Sequence, residues 1–564
     1  MDIIISKRLV WIFSLLALFL LMLTARLGYL QIARGEIYAR QALERETEKV
    51  VLEDFSRGMI LDRNYNSLTG SHNANRVVVF PRLVEDKALV STGLASILRV
   101  DAGEIRKKIS SGPGLLSYPL DAGQALAVKQ QGWEGVTVVP AHFRYGVRPL
   151  ATQVVGHLGR VRDNAEREKL ARLTGRSYSL SDWVGRQGLE MYYEQVLKGD
   201  SPAASARLFL DASGKALPGL PLEVNTNGAD PSRGNVITTL DAAIQSKVEE
   251  IMDREVEMGA VVVMAPGGDL LAMASRPAYN PAPGKIEDYL GGNNDAFLDQ
   301  CTDLFQPGSI FKVVVAAAAL EEGLVSEDTL FYCAGREDRL ISCWHPGHGE
   351  ITFARAFAES CNPAFARLGL KLGAAKIIEY AGRLGLNNQE ITGYPLPRKN
   401  QQDFRLIAAK YNLVNSSVGQ GPVLATPVQI SAMLNTMVNG GVYRQPRLVS
   451  GISGPGLEKQ FPPGEGVRAV SPDTAARLLK LLGMVTTEGV GREAYVPGVG
   501  SAGKTGSAQL GYGGGPVNAW FSGYVPKENP QYIITVLVRN GKSGGETAAP
   551  LFREIAREIM LLKH

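Results

Sequence analysis

The stretch PGSIFKVVVAAAAL, residues 307–320, predicts a buried helix that begins with two chemically useful side chains. Residues 311–320 are apolar on nearly every side, which is typical of a helix inside a domain. Ser309 and Lys312 are three positions apart at the helix start, so they share one face about a turn apart. The helix amino terminus favours negative charge on the serine oxygen. The lysine amine can accept the hydroxyl proton if burial or a second cation lowers its pKa.

The segments around this helix predict an α+β domain. Residues 259–266 and 269–275 are apolar runs on either side of a Gly-Gly pair, which indicates a β-hairpin in the centre of a sheet. Residues 531–539 predict a strand, and residues 550–562 predict an amphipathic helix. Helices therefore alternate with antiparallel-looking strands over residues 233–564.

A polar segment rich in Gly, Pro and Asn, residues 225–234, predicts a linker that ends the preceding domain near residue 232. The region before it, residues 29–232, reads as mixed α/β. Residues 32–47 predict a helix, and residues 50–68 predict strand, turn and strand with the turn at residues 62–64.

The amino-terminal segment LVWIFSLLALFLLMLTA, residues 9–25, carries no charge and predicts a membrane anchor over residues 9–28. Lys7 and Arg8 precede it, so residues 1–8 form a cytoplasmic stub in this interpretation. A cleaved secretory signal is the alternative. Both interpretations place the rest of the chain outside the cytoplasm, in a single-pass protein of the cell membrane.

Composition excludes several classes of protein. The 564 residues are 45% hydrophobic and 21% charged, which predicts a folded chain of several domains rather than a disordered one. The formal net charge of +4 is spread along the chain, so we expect no nucleic-acid partner. Four cysteines without a C-x-x-C pair are too few for a disulfide scaffold.

Two further motifs follow Ser309 and Lys312 along the chain. Ser360-Cys361-Asn362 comes first, and Lys504-Thr505-Gly506-Ser507 lies 144 residues beyond Ser360. Serine β-lactamases and penicillin-binding proteins carry S-x-x-K, S-D-N and K-T-G in this order. Three chance matches in the right order are improbable, so the motifs predict acyl-serine chemistry.

Each motif residue has a chemical reason. Ser360 can relay a proton between Lys312 and a leaving nitrogen, and Asn362 can hold a substrate amide. Lys504 can anchor a substrate carboxylate and depress the pKa of Lys312. With Ser309 as nucleophile, the predicted catalytic residues are Ser309, Lys312 and Ser360.

The third motif predicts the rest of the substrate site. Gly506 lets a substrate backbone lie against the strand as an added β-strand. The backbone N–H groups of Ser309 and Ser507 can form an oxyanion hole. The predicted substrate-binding residues are Asn362, Lys504, Thr505, Gly506 and Ser507.

The sequence resembles a class B penicillin-binding protein, a D,D-transpeptidase of the bacterial cell wall. Beyond the three motifs, the resemblance rests on residues 57–64, 185–199, 239–245, 419–427 and 520–523. It implies an extended mixed α/β pedestal domain of the dimerisation type, residues 29–232. It also implies a β-lactamase-like transpeptidase domain, an antiparallel sheet flanked by helices, over residues 233–564.

The resemblance also implies the activity and its partners. The enzyme is expected to cross-link peptidoglycan stem peptides without a cofactor and to be acylated by β-lactams at Ser309. The expected partners are a polytopic membrane glycosyltransferase and wall-assembly proteins. The sequence departs from the family pattern at Tyr65, at Gly146 and at Ser507, where threonine is more usual.

Two other functions are compatible with these motifs. A β-lactamase or D,D-carboxypeptidase would use the same acyl-serine and hydrolyse it. A non-catalytic wall-assembly scaffold or β-lactam receptor would bind without turnover.

The cysteines leave three interpretations open. Cys333 and Cys343 are ten residues apart, and His345 and His348 follow closely. A disulfide, a zinc site using both cysteines with one or two histidines such as His348, and reduced thiols all fit. Export favours the disulfide, and no metal site is predicted outright. Cys301 and Cys361 are interpreted as structural.

Overall fold

The computed structural model describes residues 2–34, 47–53, 55–200, 204–210, 215, 223–225, 230, 232–282, 285–290, 295–396, 402–409, 411–454, 456–509 and 515–562. The chain divides into two compact units. The first unit comprises Met1–Ser56, His72–Phe143 and Ser201–Asp230, and the second comprises Arg57–Ser71, Arg144–Asp200 and Pro231–His564. The predicted domain boundary near residue 232 stays a prediction, because these units follow spatial contacts rather than chain order.

The amino-terminal helix runs over Asp2–Gly28 and continues as a π-helical turn over Tyr29–Ala33. Leu9–Ile32 is long and apolar enough to cross a membrane, and the side chains of this window are not buried by the rest of the protein. The predicted anchor over residues 9–28 falls within it. The helix predicted over residues 32–47 falls mostly on residues 35–46, which lie outside the described ranges.

Two small sheets form the first unit, one in the order β1-β8-β9 and the other in the order β4-β3-β5. Three helices pack against the second sheet through a core that includes Val77, Leu94 and Ile105. Each of these helices begins after an aspartate that accepts backbone N–H bonds, as helix N-caps do. The strands are β1 (Thr47–Val51), β3 (His72–Val79), β4 (Gly114–Leu115), β5 (Val136–Phe143), β8 (Ser205–Phe209) and β9 (Glu223–Asn225), and the helices are Lys87–Leu98, Ala102–Ser110 and Ala122–Gln130.

The second unit is built around a five-stranded antiparallel sheet in the order β12-β11-β21-β20-β19. The described strands of the whole second unit, including those of its smaller sheets, are β2 (Ile60–Leu61), β6 (Leu158–Arg160), β7 (Trp183–Gly185), β10 (Asn235–Thr238), β11 (Gly259–Met264), β12 (Leu270–Arg276), β13 (Leu330–Cys333), β14 (Gly349–Thr352), β15 (Val442–Tyr443), β16 (Val449–Ser453), β17 (Lys459–Gln460), β18 (Val467–Arg468), β19 (Ala502–Gln509), β20 (Val517–Val525) and β21 (Tyr532–Gly541).

The helices Ala242–Glu255, Pro427–Val438 and Ala549–Leu561 pack against strands of that sheet. The full set of α-helices in the described part of this unit is Thr152–Val155, Asn164–Thr174, Gly188–Tyr192, Glu194–Leu197, Ala242–Glu255, Glu287–Leu290, Lys312–Glu321, Phe353–Ala358, Asn362–Arg383, Asn412–Ser416, Pro427–Val438, Pro472–Thr487 and Ala549–Leu561. The predicted hairpin is confirmed as β11 and β12, and the predicted terminal strand and helix are confirmed as β21 and Ala549–Leu561.

Strand β11 shows how the sheet separates two cores. Val261 and Val263 contribute to the core that includes helices Ala242–Glu255 and Ala549–Leu561. Val262, between them, contributes to the other core, which includes the helix Lys312–Glu321. Successive side chains of a strand point to opposite faces, so an uninterrupted apolar run is required when both faces are covered.

Residues 62–64 form the predicted turn. Asp62 Oδ1 accepts hydrogen bonds from the backbone N–H groups of Asn64 at 2.8 Å and Asn66 at 2.7 Å. An aspartate that bonds its own backbone two residues on is a frequent turn-former, so the turn prediction is confirmed.

A buried ion-pair network lies in the second unit near residue 190. The Glu190 side chain has no exposed surface and accepts from Arg57 Nε at 3.0 Å and Arg144 Nε at 2.5 Å. Glu194 pairs with the same Arg57 at 2.8 Å. Two arginines and two glutamates thus offset one another's charge within the protein.

Candidate functional site

Ser309 lies in a 3₁₀ turn, Gly308–Phe311, that leads directly into the buried helix Lys312–Glu321. Its side chain is half-buried, and the helix behind it is almost fully buried. The turn is held by a hydrogen bond from the Gly308 N–H to the Gly419 carbonyl at 3.0 Å. A Cβ on Gly419 would lie 1.9 Å from the Gly308 carbonyl oxygen, so this approach requires glycine.

Strand β19 carries the third motif and passes beside the Ser309 turn. A Cβ on Gly506 would lie 2.5 Å from the Pro307 carbonyl oxygen, so glycine permits the contact. Lys504 is fully buried and Ser507 is exposed. Among the residues that the structure describes, β19 is the outermost strand of its sheet, so its outer edge can accept an extended peptide.

Ser360 lies between the helices Phe353–Ala358 and Asn362–Arg383, in a left-handed backbone conformation with φ of 55°. Non-glycine residues rarely adopt this conformation, and it tends to persist at functional sites where surrounding contacts enforce it. Here Ser360 donates its N–H to the Phe357 carbonyl at 3.2 Å. Its carbonyl oxygen accepts a hydrogen bond from Lys312, and its hydroxyl oxygen accepts one from Lys504.

The two lysines share the Ser360 hydroxyl. Lys312 Nζ donates to Ser360 Oγ at 3.2 Å, to its carbonyl oxygen at 2.7 Å and to Asn362 Oδ1 at 2.7 Å. Lys504 Nζ donates to the same Oγ at 2.9 Å and to the Thr505 carbonyl at 3.3 Å. The structure thus brings Lys312, Ser360, Asn362 and Lys504 into one network, although they are far apart in the sequence.

Burial changes the protonation of both amines. Desolvation lowers the pKa of Lys312 to about 7. Desolvation, and then the charge of Lys312, lowers the pKa of Lys504 well below its usual value. Two ammonium groups beside one hydroxyl repel each other, so the pair loses a proton far more readily than exposed lysines do. One amine is therefore available as a base near neutral pH.

The contact partners of Lys312 differ in detail from the sequence expectation. The three-residue spacing predicts that its amine lies within reach of the Ser309 hydroxyl. Within the described ranges, the hydrogen bonds of Lys312 Nζ lead to Ser360 and Asn362, and none reaches Ser309.

Ser309 and Ser507 lie on adjoining backbone segments. The close approach is shown at Gly308, where a Cβ would lie 2.9 Å from the Ser507 carbonyl oxygen.

The cysteines are free thiols in the structure, so no disulfide joins Cys333 to Cys343. Both lie with His348, as the zinc interpretation required, and Cys361 completes the group. The sequence interpretation of Cys361 as structural does not include this group. The other two cysteines lie 18 and 28 positions before Cys361, and no local spacing relates the three. Its place inside the second motif was the available signal. Cys301 is buried elsewhere, against Ser275 and the carbonyls of Val261 and Ala274.

Comparisons with known proteins agree with this geometry. The penicillin binding protein transpeptidase domain family matches residues 258–557, and the penicillin-binding protein dimerisation domain family matches residues 53–239. Stage V sporulation protein D of Bacillus subtilis is 28% identical over 99% of this chain and 86% of its own length. Peptidoglycan D,D-transpeptidase PbpA of Mycobacterium tuberculosis is 32% identical over 61% of this chain and 76% of its own length.

A solved structure described as a peptidoglycan synthase complex that coordinates polymerization and crosslinking shares the fold. It matches with a TM-score of 0.70 at 24% identity and covers 99% of both chains. The expected α+β architecture is confirmed, because an apolar helix, a pedestal domain and a transpeptidase domain follow one another along the chain. The transpeptidase family covers more than half of the chain, and this protein belongs to the penicillin-binding protein transpeptidases of class B.

Proposed function

We propose that this chain is a membrane-anchored, serine-type D,D-transpeptidase that cross-links peptidoglycan stem peptides through an acyl-enzyme on Ser309. The observation that carries the proposal is the shared Ser360 hydroxyl, which lies 3.2 Å from Lys312 Nζ and 2.9 Å from Lys504 Nζ. An arrangement of two buried amines on one hydroxyl supplies a base and a proton relay together.

Acylation follows from these roles. Neutral Lys312 accepts the Ser309 proton as the serine oxygen attacks the carbonyl carbon of the penultimate D-alanine. The backbone N–H groups of Ser309 and Ser507 stabilise the oxyanion. The C–N bond then breaks, and the terminal D-alanine leaves after the proton reaches its nitrogen through Ser360. A β-lactam reacts in the same way, but its leaving nitrogen stays attached to the acyl group.

The substrate backbone extends strand β19 along its outer edge. Lys504, Thr505 and Ser507 hold the terminal carboxylate of the donor peptide, and Asn362 holds a substrate amide. An amine from a neighbouring stem peptide attacks the ester and forms the cross-link, which frees Ser309. Hydrolysis of the same ester would instead give a carboxypeptidase or a β-lactamase.

The membrane topology is part of the proposal. The helix Leu9–Ile32 anchors the chain in the cell membrane, and Lys7 and Arg8 keep its amino terminus in the cytoplasm. The residues after the anchor then face the peptidoglycan. The likeness in fold to a synthase that couples polymerization to crosslinking supports a partnership with a polytopic membrane glycosyltransferase and wall-assembly proteins.

The test is labelling of the full-length, detergent-purified protein with a fluorescent penicillin, with Ser309→Ala as the control. We expect one label per chain, slow release of the label, and none on the variant. Incubation with a lipid-linked or nascent peptidoglycan substrate should give cross-linked dimers. Rapid release of the label, or only hydrolysed stem peptides, would favour the hydrolase. Unchanged labelling of Ser309→Ala would overturn the proposal.

A further inference from the structure

A second cluster of reactive side chains lies beside the catalytic network without belonging to it. The Sγ atoms of Cys333, Cys343 and Cys361 and a ring nitrogen of His348 all lie within 4.8 Å of one another. His348 Nδ1 is 3.4 Å from Cys333 Sγ and 3.8 Å from Cys343 Sγ. Donors about 2.1–2.3 Å from a shared Zn²⁺ in a tetrahedron are separated from one another by roughly 3.5–3.8 Å. The two His348 distances therefore match the donor spacing around one ion.

A hairpin strand, the hairpin loop and a helix start supply these four side chains. Cys333 ends strand β13, Cys343 lies in the following loop, and His348 directly precedes strand β14. Cys361 is the residue just before the helix Asn362–Arg383. All three cysteines are buried. An ion held by the group would therefore join a hairpin, its loop and a helix start.

The loop backbone is shaped to hold Cys343 in place. The Cys343 N–H donates to the Gly335 carbonyl at 3.0 Å. Gly335 has a φ of 75°, and a Cβ there would lie 1.7 Å from the Pro346 carbonyl oxygen, so the loop folds tightly on a glycine. The tight loop backbone therefore helps to place the Cys343 thiol beside the other three side chains.

We propose that Cys333, Cys343, His348 and Cys361 bind one Zn²⁺ ion in a closed, tetrahedral, structural site. Thiolate and imidazole donors in a four-ligand set are the combination that zinc prefers in proteins. On binding, the three thiols each release a proton, and the histidine stays neutral. A single disulfide would use two of these cysteines and leave the third thiol unpaired, whereas one zinc ion uses all four side chains.

The site positions the second catalytic motif. Cys361 lies between Ser360 and Asn362 in the chain, and Asn362 Nδ2 donates to the Ser342 carbonyl at 3.1 Å, next to Cys343. The ion would thus fix the backbone on which Ser360 holds its left-handed conformation. All four positions of the ion are filled by protein, so the metal takes no part in acyl transfer. The zinc site itself does not depend on the proposed function.

Metal content of the full-length protein in detergent is the primary test. After gel filtration without added metal, elemental analysis should give one zinc per chain. After exchange for Co²⁺, the protein should show thiolate-to-cobalt charge transfer and the visible bands of tetrahedral cobalt. Zinc well below one per chain after incubation with Zn²⁺, or a disulfide detected by its mass, would overturn the proposal.

Variants separate the site from general effects on folding. Cys361→Ser and His348→Ala should lose the zinc, and His348→Cys, which keeps four donors, should retain it. Cys301→Ser is the matched control, because Cys301 is a buried cysteine outside the cluster. Loss of zinc in Cys301→Ser, or retention in both Cys361→Ser and His348→Ala, would contradict the assignment.

The positioning effect has its own readout. Removal of zinc by a chelator should lower the melting temperature and slow β-lactam acylation at least tenfold, and added Zn²⁺ should restore both. If zinc is bound but its removal leaves the acylation rate unchanged, the inference that the ion positions the second motif is wrong. Zinc stoichiometry is measured without any reaction, so a failure of the proposed transpeptidase activity remains distinguishable.

Discussion

Lys504 Nζ lies 2.9 Å from Ser360 Oγ, although 144 residues separate the two in the chain. Both side chains are buried, and the same hydroxyl also accepts a hydrogen bond from Lys312. The hydroxyl therefore connects two amines whose pKa values are both lowered. Burial, which lowers the pKa of Lys312 to about 7, makes this lysine usable as a base near neutral pH.

Acylation should depend on pH through Lys312. Burial lowers the pKa of this amine to about 7, and only its neutral form can accept the Ser309 proton. The second-order rate constant for β-lactam acylation should therefore rise with pH up to about 7 and level off above it. Stopped-flow measurements between pH 5 and pH 9 check this, and a rate that is constant or falls with pH would contradict the role of Lys312.

Removal of the Ser360 hydroxyl should slow acylation by about 10²–10⁴-fold, the usual contribution of a positioned proton-transfer group. Both Ser360→Ala and Ser360→Gly remove the hydroxyl. Alanine keeps a Cβ at the left-handed backbone position, whereas glycine adopts that conformation without strain. Both variants should lose acylation to the same extent. If Ser360→Gly acylated like the unaltered protein, the backbone rather than the hydroxyl would be responsible.

Gly419→Ala should disrupt the turn that carries Ser309. The new Cβ would lie 1.9 Å from the Gly308 carbonyl oxygen, and the residue also has a φ of 77°. We expect a loss of about 1–2 kcal/mol from the backbone conformation, a further ~1–3 kcal/mol from the clash, and little remaining acylation.

Gly440→Ala is the matched control for this change. Gly440 has a φ of 62°, but a Cβ there meets no atom within 4 Å. It should show only the cost of the backbone conformation and acylate normally. Thermal unfolding and penicillin labelling of both variants decide the point, and equal behaviour of the two would contradict the close approach.

Glu190→Gln should destabilise the second unit by about 3–5 kcal/mol, because it leaves the buried Arg57 and Arg144 without the carboxylate they share. The exposed pair Lys247 and Glu250 provides a control, since Glu250→Gln should leave unfolding unchanged. Denaturant unfolding followed by circular dichroism measures both. Similar stability of the two variants would show that the buried network contributes little.

Local sequence patterns predicted the elements well where one signal dominated. The apolar runs around Gly267 and Gly268 predicted a hairpin, and the run over residues 311–320 predicted a buried helix, because burial on all sides leaves no polar positions. The pedestal and transpeptidase architecture depended on the resemblance to a family. Periodicity alone does not report which elements lie together.

The site was predicted by motif order rather than by geometry. The hydrogen bonds of Lys312 to Ser360 and Asn362 depend on packing between the helices Lys312–Glu321 and Asn362–Arg383, which no local spacing encodes. The sequence also gives no signal for the left-handed backbone of Ser360, because serine ordinarily avoids that conformation. The addition of Cys361 to the cysteine and histidine group is likewise a long-range contact.

The most direct measurement is the mass of the tryptic fragment 286–312, which contains Ser309 and ends at Lys312. After incubation of the full-length protein with benzylpenicillin, this fragment should gain the mass of one intact benzylpenicillin, and the same fragment of Ser309→Ala should gain none. An unmodified fragment from folded protein, or the added mass on a different fragment, would contradict the assignment of Ser309 as the nucleophile.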